Sequence, residues 1–458
     1  LTLLKKISGI RGTIGGQAGT SLSPVDIVEM VSAFGMLLKE KQSVSKIVVG
    51  RDARISGGIV SQLAINTLLA MGFDVIDLGL STTPTVEMAV EMSGAGGGII
   101  FTASHNPRDW NALKLLNSKG EFISASEGQH MLKIAESGEF VYAGVDALGK
   151  YLYDDSYIGK HIDRILALDY IRTEAIQQKG LLVVVDSINS TGTVSIIPLL
   201  KRLGCRTLSI NETMSGDFAH NPEPLPHNLK QLSKAVIDNK ADLGIAVDPD
   251  VDRLVLVCPD GSMFGEEYTI VACADYVLRY RDGATVSNMS SSRALEDIAI
   301  KYGQKYHQSA VGEVNVVEKM KEVGAAIGGE GNGGVILPEL HYGRDALVGI
   351  AIILSLLIEE EKTLTELKAT YPAYHIIKKK FDISDGAAFE GILESLRKKY
   401  CNFRCNVEDG LRIDFEKSWV HLRKSNTEPV IRLIAEAEGE EKAQALIDDF
   451  EKQLNESK

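Results

Sequence analysis

Cysteine is scarce in this chain, and what little there is forms no pattern. The five residues Cys205, Cys258, Cys273, Cys401 and Cys405 are odd in number and irregularly spaced, which argues against a disulfide framework. Cys401 and Cys405 lie close together but lack the second Cys or His pair that a zinc site needs. All five read as reduced thiols, in keeping with a cytoplasmic protein. Long apolar runs are missing too: the stretch Ile350–Ile358 stops at Glu359-Glu360-Glu361, short of the ~18–20 residues of a membrane span. No signal-peptide pattern opens the sequence. Nor is there a block of basic residues. The 49 Lys and Arg are outnumbered by 62 Asp and Glu, for a formal charge of −13, which excludes nucleic acid as the main partner. An acidic chain still binds an anionic ligand where a few basic groups and backbone N–H donors converge. Internal repeats and low-complexity tracts are absent.

What is present is a long alternation of strand-like and helix-like segments. The 458 residues correspond to about three domains, or four if one is small. Residues 1–148 read as an α/β domain. Ser23-Pro24 opens a helix to about Lys41, Lys46–Gly50 is a strand, Ser56–Met71 a helix, Phe73–Leu78 a strand, Thr83–Met92 a helix and Gly98–Phe101 a strand. Residues 149–257 form a second α/β unit around Leu181–Val185, Thr191–Leu203 and Leu243–Val247. Residues 258–369 form a third, with helices at Glu267–Tyr280 and Ala346–Glu360. Residues 370–458 differ: several consecutive strands between two helices predict a small α+β domain. The expected fold is therefore three α/β domains with mixed sheets plus a small C-terminal α+β domain. Thr370-Tyr371-Pro372 is the expected linker into the last one.

Four patches carry chemistry. The first is Thr102-Ala103-Ser104-His105-Asn106-Pro107, followed by Lys114. Ser104 falls just past the end of a buried strand, where ligands bind in open α/β sheets; it is placed as a nucleophile, with His105 to orient it or shuttle a proton. Alone, the same residues also suit an Asn-Pro turn with a capping serine. The second is Asp248-Pro249-Asp250-Val251-Asp252-Arg253. Carboxylates at alternate positions on a turn converge on a hard cation such as Mg²⁺, although a solvated acidic turn has the same composition. The Gly and terminal Glu of an EF-hand are missing. The third, Gly328-Gly329-Glu330-Gly331-Asn332-Gly333-Gly334 with Gly343-Arg344-Asp345 downstream, reads as a flexible glycine-rich loop offering a carboxylate and an amide to sugar hydroxyls, or as a plain hairpin turn. The fourth, Arg423-Lys424-Ser425-Asn426-Thr427-Glu428-Pro429 and then Arg432, brackets a turn with phosphate-binding groups, or is a solvated hairpin.

In this order, one per domain, the patches resemble the α-D-phosphohexomutase superfamily over essentially the whole chain. Ser8-Gly9-Ile10-Arg11-Gly12, Asp217, His220-Asn221-Pro222-Glu223-Pro224 and Val311-Gly312-Glu313 extend the likeness. The resemblance implies four domains around a central cleft and a Ser104 that carries a phosphoryl group. It implies Mg²⁺ on that serine with Asp248, Asp250 and Asp252, and Arg11, His105, Lys114 and Arg253 around the reacting phosphate. Glu330 and Asn332 would meet sugar hydroxyls, while Arg423, Ser425, Asn426 and Thr427 would hold the second phosphate. The implied reaction interconverts hexose 6-phosphate and hexose 1-phosphate through a bisphosphate that turns round between two half-reactions, with a hexose 1,6-bisphosphate as primer. Motion at Pro372 would let it turn without escaping. A monomer or homodimer is expected.

The sugar loop lacks a hydroxyl residue and is similar to the Glu-x-Asn-Gly-Gly loops of archaeal-type members, and the fourth patch is similar to that of phosphoglucosamine mutases. Glucosamine 6-phosphate is therefore the expected substrate, with mannose or glucose phosphate as the alternative. A metal-dependent phosphatase would not need the third and fourth patches, and a non-catalytic sugar-phosphate sensor would not need the intact serine and three aspartates.

Overall fold

Local rules account for how the first domain begins. Ser23 caps the helix Pro24–Glu40: its hydroxyl accepts from the Asp26 N–H, the Asp26 carboxylate accepts from the Ser23 N–H, and Pro24 occupies the first turn. The Thr82 hydroxyl caps Thr83–Ser93 by accepting from the Thr85 N–H, Pro84 lies in the first turn, and left-handed Gly94 ends the helix. The computed structural model describes residues 2–6, 9–41, 44–382, 386–424 and 430–456. They fall into two compact units, residues 1–269 with 333–365, and residues 270–332 with 366–458.

The first unit holds two sheets. One has seven strands in the order Leu4–Lys6, Gly9–Thr13, Trp110–Leu116, Gly97–Phe101, Lys46–Arg51, Asp74–Leu80, Tyr151–Tyr153. It is mixed: Lys46–Arg51 runs parallel to both Gly97–Phe101 and Asp74–Leu80, whereas Trp110–Leu116 is antiparallel to its neighbours. Ile47, Val49, Ile99 and Phe101 pack with Phe34, Leu37 and Leu68 in one apolar core. The other sheet, Leu254–Val257, Leu243–Val247, Leu182–Asp186, Arg206–Ile210, is parallel except for its first pair. Gly97–Phe101 and Leu243–Val247 are each buried at all five positions, as strands covered on both faces must be. Ser104 and Asp248 emerge just past their C-terminal ends.

The second unit contains the parallel strands Tyr306–Ser309, Ala284–Asn288 and Ala325–Glu330. It also contains a five-stranded sheet, Tyr374–Asp382, Val430–Glu438, Trp419–Lys424, Leu411–Asp414, Arg404–Asn406, antiparallel throughout. The helices Gly386–Lys399 and Glu440–Glu456 cover it, burying Phe389, Leu396, Ile413, Leu422, Leu433, Ile447 and Phe450. Tyr371, in the expected linker, is buried, and its hydroxyl donates to Asp275 at 3.1 Å. Among the described residues no helix is long and apolar enough to cross a membrane.

Arg11 and Lys114 sit on paired strands, Gly9–Thr13 and Trp110–Leu116. One segment differs from expectation. Gly328, Gly329 and Glu330 end a buried strand instead of belonging to a flexible loop. The glycines serve packing there: a Cβ on Gly328 would stand 2.5 Å from Met320 Sδ and 2.8 Å from the Val286 carbonyl oxygen.

Phe450 is buried and stacks on Tyr400 with ring centroids 5.4 Å apart. Phe450→Ala is expected to destabilise the C-terminal sheet by about 3–5 kcal/mol, read as faster amide exchange along Trp419–Lys424 and Val430–Glu438.

Candidate functional site

Ser104 is set by its backbone before any partner is considered. Its φ is +50°, a left-handed conformation that non-glycine residues rarely adopt. Four main-chain carbonyls, those of Ser104, Asn106, Pro107 and Trp110, accept hydrogen bonds from the Arg54 guanidinium. Arg54 is itself held by Asp52, with Nε 3.1 Å from Oδ2 and both side chains fully buried. Thr102 links the two systems: its Oγ1 donates to Asp52 Oδ2 at 2.6 Å and accepts from the Ser104 N–H at 2.9 Å. Asp52 and Arg54 were not among the predicted site residues. The available signal was a charged Arg51-Asp52-Ala53-Arg54 run closing an apolar strand, and its contacts lie about fifty positions downstream.

The aspartate loop is strained in the same way. Val251 has φ +61°, exceptional for a β-branched residue. That turn brings one carboxylate oxygen each from Asp248, Asp250 and Asp252 within 4.8 Å of one another, all buried. Asp248 Oδ1 accepts from the backbone N–H groups of Asp252 and Arg253, both at 3.2 Å, and Asp248 Oδ2 accepts from Ser104 Oγ at 2.6 Å. Asp250 Oδ2 accepts from Thr83 Oγ1 at 2.5 Å and Lys114 Nζ at 2.7 Å. Asp252 Oδ2 accepts from Lys114 Nζ at 3.1 Å and Arg344 Nη2 at 2.7 Å. The remaining oxygens, Asp250 Oδ1 and Asp252 Oδ1, are buried and accept no hydrogen bond from the described residues. Buried acceptors are ordinarily satisfied. Two such oxygens beside Asp248 Oδ2 and Ser104 Oγ make an all-oxygen donor set that fits a hard divalent cation.

The charges follow from this crowding. Burial, reinforced by Asp252 and Asp250, pushes the Asp248 carboxyl well above its usual range. Burial acts the same way on Asp252, but Arg344, Lys114 and Arg253 overcome it and hold that carboxyl low. Burial would also lower the Lys114 ammonium, yet Asp250 and Asp252 raise it, so its charge faces the carboxylates. His105 Nδ1 lies 3.3 Å from Ser104 Oγ. Burial and Arg253 push this imidazole down to about 2. Burial and the same Arg253 lower Arg11, whose Nη1 donates to Asn106 Oδ1 at 3.4 Å. Arg253 Nε is buried and makes no hydrogen bond with the described residues. Two guanidiniums with an unfilled donor suit an anion beside the serine.

In the second unit, Glu330 ends its strand with Oε1 accepting from Asn288 Nδ2 at 2.8 Å, and Asn332 Nδ2 is 3.5 Å from Glu330 Oε2. Arg423 donates from Nε to Asp409 Oδ2 at 2.8 Å, while its buried Nη2 makes no hydrogen bond with the described residues. Its direct cross-strand partner is Arg432, an arrangement that like charges disfavour unless something anionic lies between them. Burial lowers the Arg423 guanidinium, and Arg432 adds to that against the pull of Asp409. Arg432, which closes the fourth sequence patch, stands in register opposite Arg423. Ser8, Ser425, Asn426 and Thr427 lie outside the described residues.

This geometry defines a class: a serine on a strained strand end, three buried aspartates prepared for a cation, and cationic groups for phosphates. Comparison with known proteins agrees. Phosphoglucomutase/phosphomannomutase α/β/α domains I, II and III match residues 2–142, 159–261 and 265–374, and the C-terminal domain matches 375–453. A Thermococcus kodakarensis protein named phosphoglucomutase/phosphomannomutase is 35% identical over 443 residues, covering 95% of this chain and 96% of its own. A Methanopyrus kandleri protein named as a probable phosphoglucosamine mutase is 34% identical, covering 97% and 96%. A solved phosphoglucomutase/phosphomannomutase family protein from Burkholderia thailandensis superposes with a TM-score of 0.86 at 26% identity, covering 99% and 97%. The chain belongs to the phosphoglucomutase/phosphomannomutase family of the α-D-phosphohexomutase superfamily. It is an enzyme, an intramolecular phosphotransferase of the isomerase type.

One motif residue outside the site gives a pH signature. His220 Nε2 lies 3.0 Å from Asp186 Oδ2. Burial lowers its pKa, but the hydrogen bond and charge of Asp186 outweigh that and leave it raised. A raised folded-state pKa stabilises fully below the unfolded value of ~6.5 and is lost as pH climbs through the folded value. Wild-type melting temperature is therefore expected to fall over that interval, and His220→Asn to flatten the fall.

Proposed function

We propose that this enzyme interconverts hexose 6-phosphate and hexose 1-phosphate by moving a phosphoryl group on and off Ser104, with glucosamine phosphate as the preferred sugar. The observation that carries this reading is Ser104 Oγ, 2.6 Å from Asp248 Oδ2, beside two further carboxylates with unfilled oxygens. Asp248, Asp250, Asp252 and Ser104 would hold Mg²⁺, which when bound supplies Lewis-acid neutralisation of phosphoryl oxygens. Arg253 and Arg11 would bind the reacting phosphate, and His105 Nδ1 is within reach of the serine oxygen as it takes up or gives up a proton. Lys114 and Arg344 keep two of the aspartates turned to one side.

Phosphoryl transfer asks for positioning and charge neutralisation more than for new covalent chemistry, and these residues offer both. From phospho-Ser104 the group passes to the free hydroxyl end of the sugar monophosphate. The resulting bisphosphate turns, and its other phosphoryl group returns to Ser104. A hexose 1,6-bisphosphate would therefore prime the dephosphorylated enzyme. In the second unit, Arg423 with Ser425, Asn426 and Thr427 would hold the phosphate that is not reacting, and the cross-strand Arg423–Arg432 pair supports that. Glu330 and Asn332 would take the sugar hydroxyls. Each motif belongs to its own segment, with boundaries placed near residues 148, 257 and 369, and motion near Pro372 would let the intermediate turn. Its free thiols fit a cytoplasmic enzyme.

The Methanopyrus relative's name favours glucosamine phosphate. That of the Thermococcus relative favours a second reading, mannose or glucose phosphate. A coupled assay on glucosamine, mannose and glucose 6-phosphates, with Mg²⁺ and a hexose bisphosphate primer, separates them: kcat/KM is expected to be highest for glucosamine 6-phosphate. Ser104→Ala is expected to lower turnover at least about a thousandfold, and to abolish the single phosphoryl mass increment seen on incubation with primer. Chelation should remove activity and Mg²⁺ restore it. Full mutase activity in Ser104→Ala would refute the mechanism, whereas preference for another hexose would refute only the sugar assignment. Arg423→Ala is expected to raise KM about ten- to hundredfold, the loss of charged hydrogen bonds, with a smaller change in kcat.

A further inference from the structure

The helix Thr83–Ser93 touches the aspartate loop at its first residue. The Thr83 N–H donates to the Asp250 carbonyl oxygen at 2.9 Å, and its hydroxyl to Asp250 Oδ2 at 2.5 Å. Glu87, four residues on and so one turn along the same face, meets His341: Glu87 Oε2 lies 3.4 Å from His341 Nδ1, and His341 Nε2 lies 3.4 Å from Asp345 Oδ2. His161 Nε2 approaches the same Asp345 oxygen at 2.9 Å, with its Nδ1 3.0 Å from Thr85 Oγ1. The other Asp345 oxygen caps the helix Ala346–Glu360, accepting from the Leu347 and Val348 N–H groups. Between these anchors the segment reaches back to the aspartate loop twice. Arg344 Nη2 donates to Asp252 Oδ2 at 2.7 Å, and the Ala346 N–H to the Val251 carbonyl oxygen at 3.3 Å. A Cβ at Gly343 would stand 1.9 Å from Glu87 Oε2, so a side chain there would displace the Glu87 carboxylate.

We propose that Glu87 and His341 are positioning residues for the metal-binding carboxylates: their buried clamp fixes residues 341–346 so that Arg344 holds Asp252 Oδ2 and leaves Asp252 Oδ1 for the cation. This rests on the reading of Asp248, Asp250 and Asp252 as the Mg²⁺ loop. One helix then governs two aspartates, Asp250 through Thr83 and Asp252 through Glu87, His341 and Arg344. The clamp is ionic: burial lowers the His341 pKa, but Asp345 and Glu87 raise it to about 10, so an imidazolium stands between two carboxylates at neutral pH. As a stabiliser alone such a buried pair has little advantage over well-packed apolar side chains. What it adds is a fixed register, on which the donor oxygens of a metal site depend.

The test uses the full chain with Glu87→Gln, His341→Gln, Arg344→Lys and the double variant His341→Gln/Arg344→Lys. The readouts are Mg²⁺ binding by titration calorimetry, the Mg²⁺ concentration for half-maximal turnover, KM for the hexose phosphate, and melting temperature. Folded His341→Gln and Glu87→Gln are expected to bind Mg²⁺ about tenfold or more weakly, with the sugar-phosphate KM largely unchanged. The double variant should bind no more weakly than its worse parent, because both changes act through one segment. Wild-type Mg²⁺ affinity in a folded Glu87→Gln or His341→Gln protein would overturn the proposal, as would additive losses in the double variant. Unfolding of both single variants would mark the clamp as a stabiliser only and overturn it as well. Failure of the underlying reading shows elsewhere: the wild type would bind no Mg²⁺, or Asp250→Asn would keep full affinity.

Discussion

Three carboxylates share one buried turn, and most of the surrounding architecture answers to their repulsion. Two unit charges within 4.8 Å of each other repel by at least about 3 kcal/mol at an effective dielectric of about 20, and three ionised carboxylates would make three such pairs. The response differs at each member. Asp248 is tied by two backbone N–H groups and the Ser104 hydroxyl, Asp250 by Thr83 and Lys114, and Asp252 by Lys114 and Arg344. The side-chain donors come from four places in the chain, Thr83, Ser104, Lys114 and Arg344, so the aspartates act as the fastening between segments far apart in sequence. Asp250 and Asp252 each keep one oxygen that accepts no hydrogen bond from the described residues, and those oxygens suit a hard cation.

Backbone strain adds a second layer to the same constraint. Ser104 and Val251 both occupy the left-handed region, at roughly 1–3 kcal/mol each. Neither would persist unless over-determined. Arg54 supplies this at Ser104 by gathering four carbonyls of its loop. At Val251 it comes from the N–H bond to Asp248 and the carbonyl bond from Ala346. Conversely, each strained residue turns its neighbours' polar atoms toward the other loop, so relaxing either would part Ser104 Oγ from Asp248.

How much of this could be read beforehand depends on distance along the chain. Ser104 and the aspartates announce themselves because each follows directly on an apolar strand, so position and chemistry are written in adjacent residues. Helix starts at Ser23-Pro24 and Thr82-Thr83 are equally local. Lys114 was recognisable as a site residue, but its engagement with Asp250 and Asp252 spans more than a hundred positions and no local pattern encodes it. Arg54 and Arg344 were given no role for the same reason: a lone arginine looks identical whether it is solvated or reaches a partner across the fold. Gly328 and Gly329 misled in the opposite direction. Glycine weakens a strand, so a run of it reads as a loop, yet Met320 and the Val286 carbonyl leave no room for anything larger at Gly328.

On the proposed mechanism, the cationic groups bear on how one enzyme could handle both ends of a sugar bisphosphate. Arg11, Arg253, Arg423 and Arg432 would recognise charge and planar oxygen geometry, not the shape of a sugar. On the proposed mechanism that indifference is required, because whichever phosphate is not reacting must be held equally well in both orientations. Selection among hexoses is then left to groups that meet hydroxyls or an amine. Glu330 is the one charged candidate at the sugar loop, and its carboxylate is already oriented by Asn288. A fixed carboxylate attracts the protonated amine of glucosamine phosphate more than the neutral hydroxyl of a mannose or glucose phosphate. The physical argument therefore runs in the same direction as the loop pattern that first pointed to glucosamine.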